Sequence, residues 1–362
     1  MVDTARYRAV THPAGAHFID VLDQRALPHA VETRRITDVE GAAMAIGDMI
    51  VRGAPLIGAV GAYGLALALD ADPSDEALAR AHALLDATRP TAVNLRWALD
   101  RVRNRVAGLA SAARAEAAWR EADAIHAEDI SINAALGHHG LALLRGVARD
   151  RDRPINVMTH CNAGALATCG FGTATAPIFL AHAEGLSVHV WVSETRPRMQ
   201  GASLTAWEMA QRDIPHTLIV DSASGPLMRR GEVDLVIVGA DRVARNGDVC
   251  NKVGTYDKAL AAADNSVPFY VALPSPTIDW KTQSGDAIPI EARSADEVLN
   301  VQGRGQAGRA TVAIAGDSTR ALNFAFDVTP ARLVTGYVTE RGVAKDAAQL
   351  RQLFPERARG ED

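Results

Sequence analysis
Apolar and polar positions follow two different rhythms along this chain. From Val39 to about Arg149, Ala, Leu and Arg recur at helical spacing with several acidic breaks. The spacing predicts helices starting at Asp38 and at Ser74, and a long one over Ala112–Leu144. The most apolar run, APLIGAVGAYGLALAL, holds three glycines, ends at Asp70 and reads as a buried helix. A short strand-like opening, HFIDVLDQRALP, precedes them. Residues 1–150 are therefore expected to form a mainly helical domain with a short β opening.

The rhythm changes after Arg151-Asp-Arg-Pro154, a charged stretch ending in Pro that suits a linker. Short apolar runs then recur at Ile155–His160, Ser187–Ser193, Thr217–Val220, Leu235–Val238, Phe269–Leu273 and Leu333–Tyr337. Continuous Val- and Ile-rich runs of this length suit strands covered on both faces in a parallel sheet. The spacers have room for crossover helices, for example over Ser203–Arg212 and Tyr256–Ala263. Residues 151–362 thus predict a Rossmann-like, doubly wound α/β domain, with its ligand site beyond the carboxyl ends of the strands.

Composition narrows the partners. The 362 residues, 48% hydrophobic and 22% charged, can bury a sizeable core. A net charge of -5 and a pI near 6.1 give no global attraction for polyanions, which argues against nucleic-acid or membrane binding. An anionic ligand would need a local basic pocket. Cys161, Cys169 and Cys250 are too few for a disulfide framework and show no metal-ligand spacing. A reducing cytoplasm fits, and no metal or organic cofactor is indicated. No signal peptide is evident, and no uninterrupted apolar stretch reaches spanning length.

Chemistry-bearing residues follow the predicted strands directly. In THCNAGALAT an apolar strand meets Cys161, which reads either as a thiol activated by backbone N–H groups or as a small packing residue. The same turn and Thr173–Thr175 suit phosphate oxygens. In SETRPRMQGASLTAWEM, Arg196 or Arg198 and Gln200 suit hydroxyl or phosphate oxygens. In VDLVIVGADRVARNGDVCNKVGTYDKAL the strand ends at Asp241, an acid/base candidate or a helix cap, and Asn251 and Lys252 follow. In the helical region Arg52-Gly53-Ala54-Pro55 reads as a loop before a Pro-initiated helix, whose start suits phosphate. Arg96, beside Trp97 on a predicted helix, either reaches across the cleft or lies on the helix surface. No GxGxxG after a strand, P-loop, GxSxG or HExxH occurs, so nucleotide, serine-hydrolase and zinc-protease readings lose support.

RGAP at Arg52–Pro55, RPTAVNLRWA at Arg89–Ala98, THCNAG, ETRPRMQGASLTAWE, GADRVARNGDVCNKVGTY and FDVTPARLVT at Phe326–Thr335 stand in one order over nearly the whole chain. Together they resemble the methylthioribose-1-phosphate isomerase family, which shares its fold with regulatory subunits of the eukaryotic initiation-factor exchange complex. The resemblance implies Cys161 and Asp241 as catalytic residues, and Arg52, Gly53, Ala54, Arg96, Gln200, Asn251 and Lys252 as substrate contacts. It also implies a homodimer and a sugar-phosphate substrate, with aldose–ketose isomerisation of 5-methylthioribose 1-phosphate in methionine salvage as the reaction. Two other readings stay open. One is an isomerase of 5-deoxyribose 1-phosphate or ribose 1,5-bisphosphate, since Met199, Ser203, Cys250 and AIAGDSTRALNFAFDVTP depart from the usual pattern. The other is a non-catalytic regulatory homologue that only binds sugar phosphate.

Overall fold
The computed structural model describes residues 7–89, 92–148 and 152–360. Its first part holds an antiparallel sheet of β1 (Val10–Thr11), β2 (Ile19–Leu22) and β3 (Thr33–Ile36), then helices α1 (Val39–Gly47), α2 (Ala54–Ala71), α3 (Asp75–Thr88), α4 (Val93–Val106) and α5 (Ser111–Ala148). The two expected helix starts are real N-caps. The Asp38 carboxylate accepts the Gly41 N–H at 2.7 Å and the Ser74 hydroxyl accepts the Ala77 N–H at 3.1 Å. Each occupies an N–H that the first turn leaves free, a contact typically worth about 1 kcal/mol.

Helix α2 is apolar on every face because it is enclosed on every face. By length and composition it is apolar enough to cross a membrane, but 83% of that window is buried inside the protein. Its glycines let neighbours approach closely: a Cβ on Gly58 would lie 2.9 Å from the Asn94 carbonyl of α4. Helix α5, 38 residues long, joins two cores. Ala117–Ile125 pack with α2 and α4, whereas Leu136, Leu141 and Leu144 pack with the large sheet.

That sheet contains β4 (Ile155–Thr159), β5 (Val188–Ser193), β6 (His216–Ile219), β7 (Leu235–Val238), β10 (Phe269–Ala272), β15 (Gly336–Thr339) and β16 (Gly342–Ala344), ordered β16-β15-β10-β7-β4-β5-β6. All neighbours run parallel except β15 and β16. Read from β6, the parallel strands follow the doubly wound order 3-2-1-4-5-6. The run LVIV in β7 shows why such strands are continuously apolar. Leu235 and Ile237 enter the core shared with α5 and α6 (Ala176–Ala183), while Val236 and Val238 enter the core shared with α8 (Ser224–Arg229) and α9 (Thr255–Asp264).

Strand β7 matches the predicted run, but the run at Leu333–Tyr337 is displaced. Ala331–Leu333 form a 3-10 turn after Pro330, and pairing begins only where the Thr335 N–H donates to the Phe269 carbonyl at 2.8 Å. The expected crossover helix at Ser203–Arg212 opens as a π-turn over Gly201–Thr205 before α7 (Ala206–Ala210). A second sheet, ordered β11-β8-β9-β14, was not visible in the periodicity: β8 (Arg242–Ala244), β9 (Val249–Lys252), β11 (Ile278–Asp279) and β14 (Phe326–Thr329) are short and partly polar. A hairpin of β12 (Asn300–Gly305) and β13 (Gly308–Ala313) was likewise unread. In the linker, Arg151 lies outside the described residues and Arg153 forms a two-bonded pair with Asp234.

Candidate active site
The chain leaves β4 toward β5 and β6, then returns to place β7 on the other side of β4. Strand ends diverge at such a switch point and leave a crevice. Cys161 stands just past the end of β4 and Asp241 just past the end of β7, so both border that crevice. The cleft there encloses about 690 Å³ including its open mouth.

Arg52, Gly53, Ala54, Cys161, Gln200, Asp241, Asn251 and Lys252 all line it. Arg96 does not. It sits on the outer side of α4 with its side chain 55% exposed, and both arms of its guanidinium engage the Asp86 carboxylate. The cleft is lined instead by Arg89, at the end of α3, whose side chain is only 12% exposed. Its Nε has no hydrogen-bond partner, and a terminal nitrogen lies 3.5 Å from Glu291. Arg89 opens the same RPTAVNLRWA motif, and that was its only signal in the sequence.

The Cys161 end is tightly tied. Cys161 takes a left-handed backbone, φ 62°, and its N–H donates to the Thr195 hydroxyl at 2.8 Å. The Thr205 hydroxyl donates to the Cys161 carbonyl at 2.6 Å. The preceding His160 is buried, with Nε2 bonded to the Val253 carbonyl at 2.8 Å. Burial and then the neighbouring Lys258 push its imidazole down to about 3, so it stays neutral.

The Asp241 end is set by its surroundings. Its carboxyl keeps some surface open to the cleft, but dense protein around it pushes the pKa above the ordinary value, against the pull of Lys252, Arg89 and Arg52. Lys252 is itself buried on β9. Its Nζ donates to the Ala325 carbonyl at 2.8 Å and lies 4.3 Å from the centre of the Phe326 ring. Burial lowers its pKa, while Cys161 and Asp241 act to keep it charged. Asn251 beside it donates to the Thr255 hydroxyl at 3.0 Å, and the buried Gln200 keeps an unpaired Oε1.

The start of α2 completes the wall. Gly53 has φ 101°, and a Cβ there would lie 2.5 Å from the Ala167 carbonyl, so only glycine lets this helix start meet the loop after β4. Arg52 Nη1 donates to the Asn162 side-chain oxygen at 2.8 Å, and the Asn162 amide donates to Glu208 at 2.6 Å. Burial raises the Glu208 carboxyl above its usual range. Next to the cleft is a second compartment that includes Ile57, Ala92, Cys250, Ile288 and Pro289, and it shares Gly53, Ala54, Arg89, Asp241 and Phe326 with the main cavity. Burial pushes the Cys250 thiol up to about 12, which suits packing rather than nucleophilic chemistry. Among the described residues no group of three or more His, Cys, Asp or Glu gathers as a cation site.

Known proteins resemble this chain over its whole length. Residues 50–346 match the model of the initiation factor 2 subunit family. The methylthioribose-1-phosphate isomerase of Rhizobium meliloti (strain 1021) is 56% identical over 344 residues, covering 94% of each chain. The crystal structure of 5-methylthioribose 1-phosphate isomerase from Pyrococcus horikoshii OT3 superposes with a TM-score of 0.83 at 38% identity, covering 97% of both chains. The translation initiation factor eIF-2B subunit delta from A. fulgidus superposes with a TM-score of 0.79 at 37% identity, covering 96% of this chain and 98% of that one.

Proposed function
The chain belongs to the initiation factor 2 subunit family, among relatives that are methylthioribose-1-phosphate isomerases, and we propose that it converts 5-methylthioribose 1-phosphate to 5-methylthioribulose 1-phosphate. The observation that carries this reading is one cleft at the switch point, bordered by a thiol, a carboxyl of raised pKa and three basic side chains.

The substrate poses a specific problem. Phosphate on the anomeric oxygen prevents the ring from opening by simple loss of a hydroxyl proton. In this reading Asp241 starts protonated and gives its proton to the ring oxygen as the bond from that oxygen to C1 breaks. The Cys161 thiolate removes the C2 proton, forming an enol, and the resulting thiol, whose proton exchanges with solvent, protonates C1. The 2-hydroxyl proton passes back to Asp241 as the C2 carbonyl forms, so both groups end as they began. Arg52, Arg89 and Lys252 supply positive charge for the phosphate, and the exposed N–H groups at the start of α2 add the helix dipole. Asn251 and Gln200 offer amides to the sugar hydroxyls. The same reading, following the resemblance, makes the protein a cytoplasmic homodimer in methionine salvage.

The test is an isomerase assay on methylthioribose 1-phosphate beside its 5-deoxy and 5-phospho analogues. Turnover of the methylthio sugar that falls by orders of magnitude in both Cys161→Ser and Asp241→Asn is expected. Near-normal turnover in either variant removes that residue from the mechanism. Run in deuterated water, the reaction should place solvent deuterium at C1; full retention of the C2 hydrogen there would point to a hydride shift instead.

A further inference from the structure
Cys161 at φ 62°, in the cleft wall, and Thr195 at φ 66°, in the loop after β5, both take left-handed backbone and are bonded to each other. Such a conformation is unusual for any β-branched residue and costs about 1–2 kcal/mol. It persists only where its surroundings hold it in place. At Thr195 the holder is Asp221, from the far end of β6. Its carboxylate accepts the Thr195 N–H at 2.9 Å, the Arg196 N–H at 2.7 Å and the Ser193 hydroxyl. Lys258 Nζ lies 3.8 Å and His160 Nδ1 3.9 Å from the same carboxylate. The loop closes tightly on itself as well, since a Cβ on Gly201 would lie 1.7 Å from the Ser193 carbonyl. Thr195, fully buried, then passes this order on: its hydroxyl donates to the Ser193 carbonyl at 3.0 Å and accepts the Cys161 N–H at 2.8 Å.

The geometry points to Asp221 as a positioning residue for the Cys161 thiol, acting through the Thr195 hydroxyl. This rests on the reading that Cys161 moves the substrate proton. Asp221 does not line the cleft, so it acts only through the backbone it holds. Its three accepted hydrogen bonds keep Thr195 left-handed, Thr195 keeps the amide of Cys161 in place, and Cys161 stays at the strand end in the cleft wall. Releasing the turn lets Cys161 relax toward ordinary backbone angles and withdraws the thiol from the substrate. A misplacement of about 1 Å at a reacting group can cost about 100-fold in rate.

Three variants test this: Thr195→Val keeps the shape and removes the hydroxyl, Thr195→Ser restores it, and Asp221→Asn replaces one acceptor oxygen with an amide donor. The readouts are kcat and KM, and the rate at which iodoacetamide alkylates Cys161, followed by peptide mass spectrometry. Cys169 and Cys250 are buried, so the native chain presents Cys161 alone. In Thr195→Val and Asp221→Asn, kcat and the alkylation rate of the folded protein should each fall about tenfold or more, with KM within about threefold. Thr195→Ser should recover most of the loss seen with Val. Unchanged alkylation and kcat in both variants overturn the proposal, as does a Thr195→Ser variant as impaired as Thr195→Val. Should Thr195→Val fail to fold, Asp221→Asn decides on the same readouts. Wild-type protein without isomerase turnover, whose alkylation still responds to these variants, would sink the isomerase reading and leave the positioning role standing.

Discussion
After β4, strain sits in the backbone: Cys161 is left-handed, tied at its N–H and its carbonyl by two threonine hydroxyls, with Asp221 holding one of them. After β7 the backbone is unremarkable and the strain is electrostatic, because a carboxyl is enclosed by protein dense enough to disfavour its charge. The two ends meet in one cleft, but they are prepared for different tasks. The thiol end is prepared in position, which a proton carrier between two adjacent carbons needs. The carboxyl end is prepared in protonation state, which a donor to a ring oxygen needs. Perturbations should therefore separate them by what else changes when activity is lost.

The largest effect is shared, and its companion is not. Cys161→Ser and Asp241→Asn should each lower kcat by about a thousandfold or more, as expected for removing a group that transfers a proton in the reaction. The stability of Asp241→Asn should part from that of wild type with pH. Burial raises the folded-state pKa of Asp241, so the native chain holds a proton that the unfolded chain has released. Native stability is then fully present below the ordinary carboxyl pKa and is lost as pH rises through the folded pKa. Asp241→Asn cannot ionise, so its Tm relative to wild type should rise as pH goes from acid to neutral. Thermal melts across that range check it, and a constant Tm difference for Asp241→Asn would refute the account of a strained carboxyl. The rate of the wild-type enzyme should fall on the alkaline side as Asp241 loses its proton.

The same contrast explains what could be read in the sequence. Asp241 was legible because an unbroken apolar strand runs into it, and a side chain's place at a strand end follows from the pattern alone. The helix starts at Asp38 and Ser74 were legible for the same local reason. Cys161 was half legible: its strand was plain, but the ties that hold it come from Thr195, Thr205 and Asp221, which no spacing connects to it. Asn251 and Lys252 were legible as substrate-contact candidates but not as part of a strand. They belong to β9, a four-residue strand buried throughout, whose Asn and Lys hide the apolar signal. The choice between Arg89 and Arg96 was illegible because both lie in one motif, and which of them faces the cleft depends on where α3 ends and how α4 is rotated.

A smaller effect tests how the helical layer joins the thiol end. In Gly53→Ala the new Cβ would lie 2.5 Å from the Ala167 carbonyl, and φ 101° is strained for any side chain. The backbone at the start of α2 must shift, at a cost of about 1–3 kcal/mol in stability. In the proposed function these N–H groups bind the phosphate, so KM should rise about tenfold. Urea unfolding and initial rates measure the two. A stable variant with unchanged KM would show that the helix start is not part of the phosphate site.

A last contrast separates two arginines only seven positions apart in sequence. Arg89 is largely buried in the cleft wall, with one nitrogen unpaired and its charge acting on Asp241. Arg96 is spent on Asp86 at the surface. Arg89→Met should lower kcat/KM by about 10- to 100-fold, the size of one lost charge-assisted contact of about 1.5–3 kcal/mol. It should also move the alkaline limb of the rate profile upward, since removing a cation makes the Asp241 charge still less favourable. Arg96→Met should leave kcat/KM within about twofold and change stability by about 1 kcal/mol or less, as exposed ion pairs do. A large loss in Arg96→Met with little change in Arg89→Met would mean that α4 turns its outer face to the substrate during catalysis, and the cleft described here would then be only part of the working site.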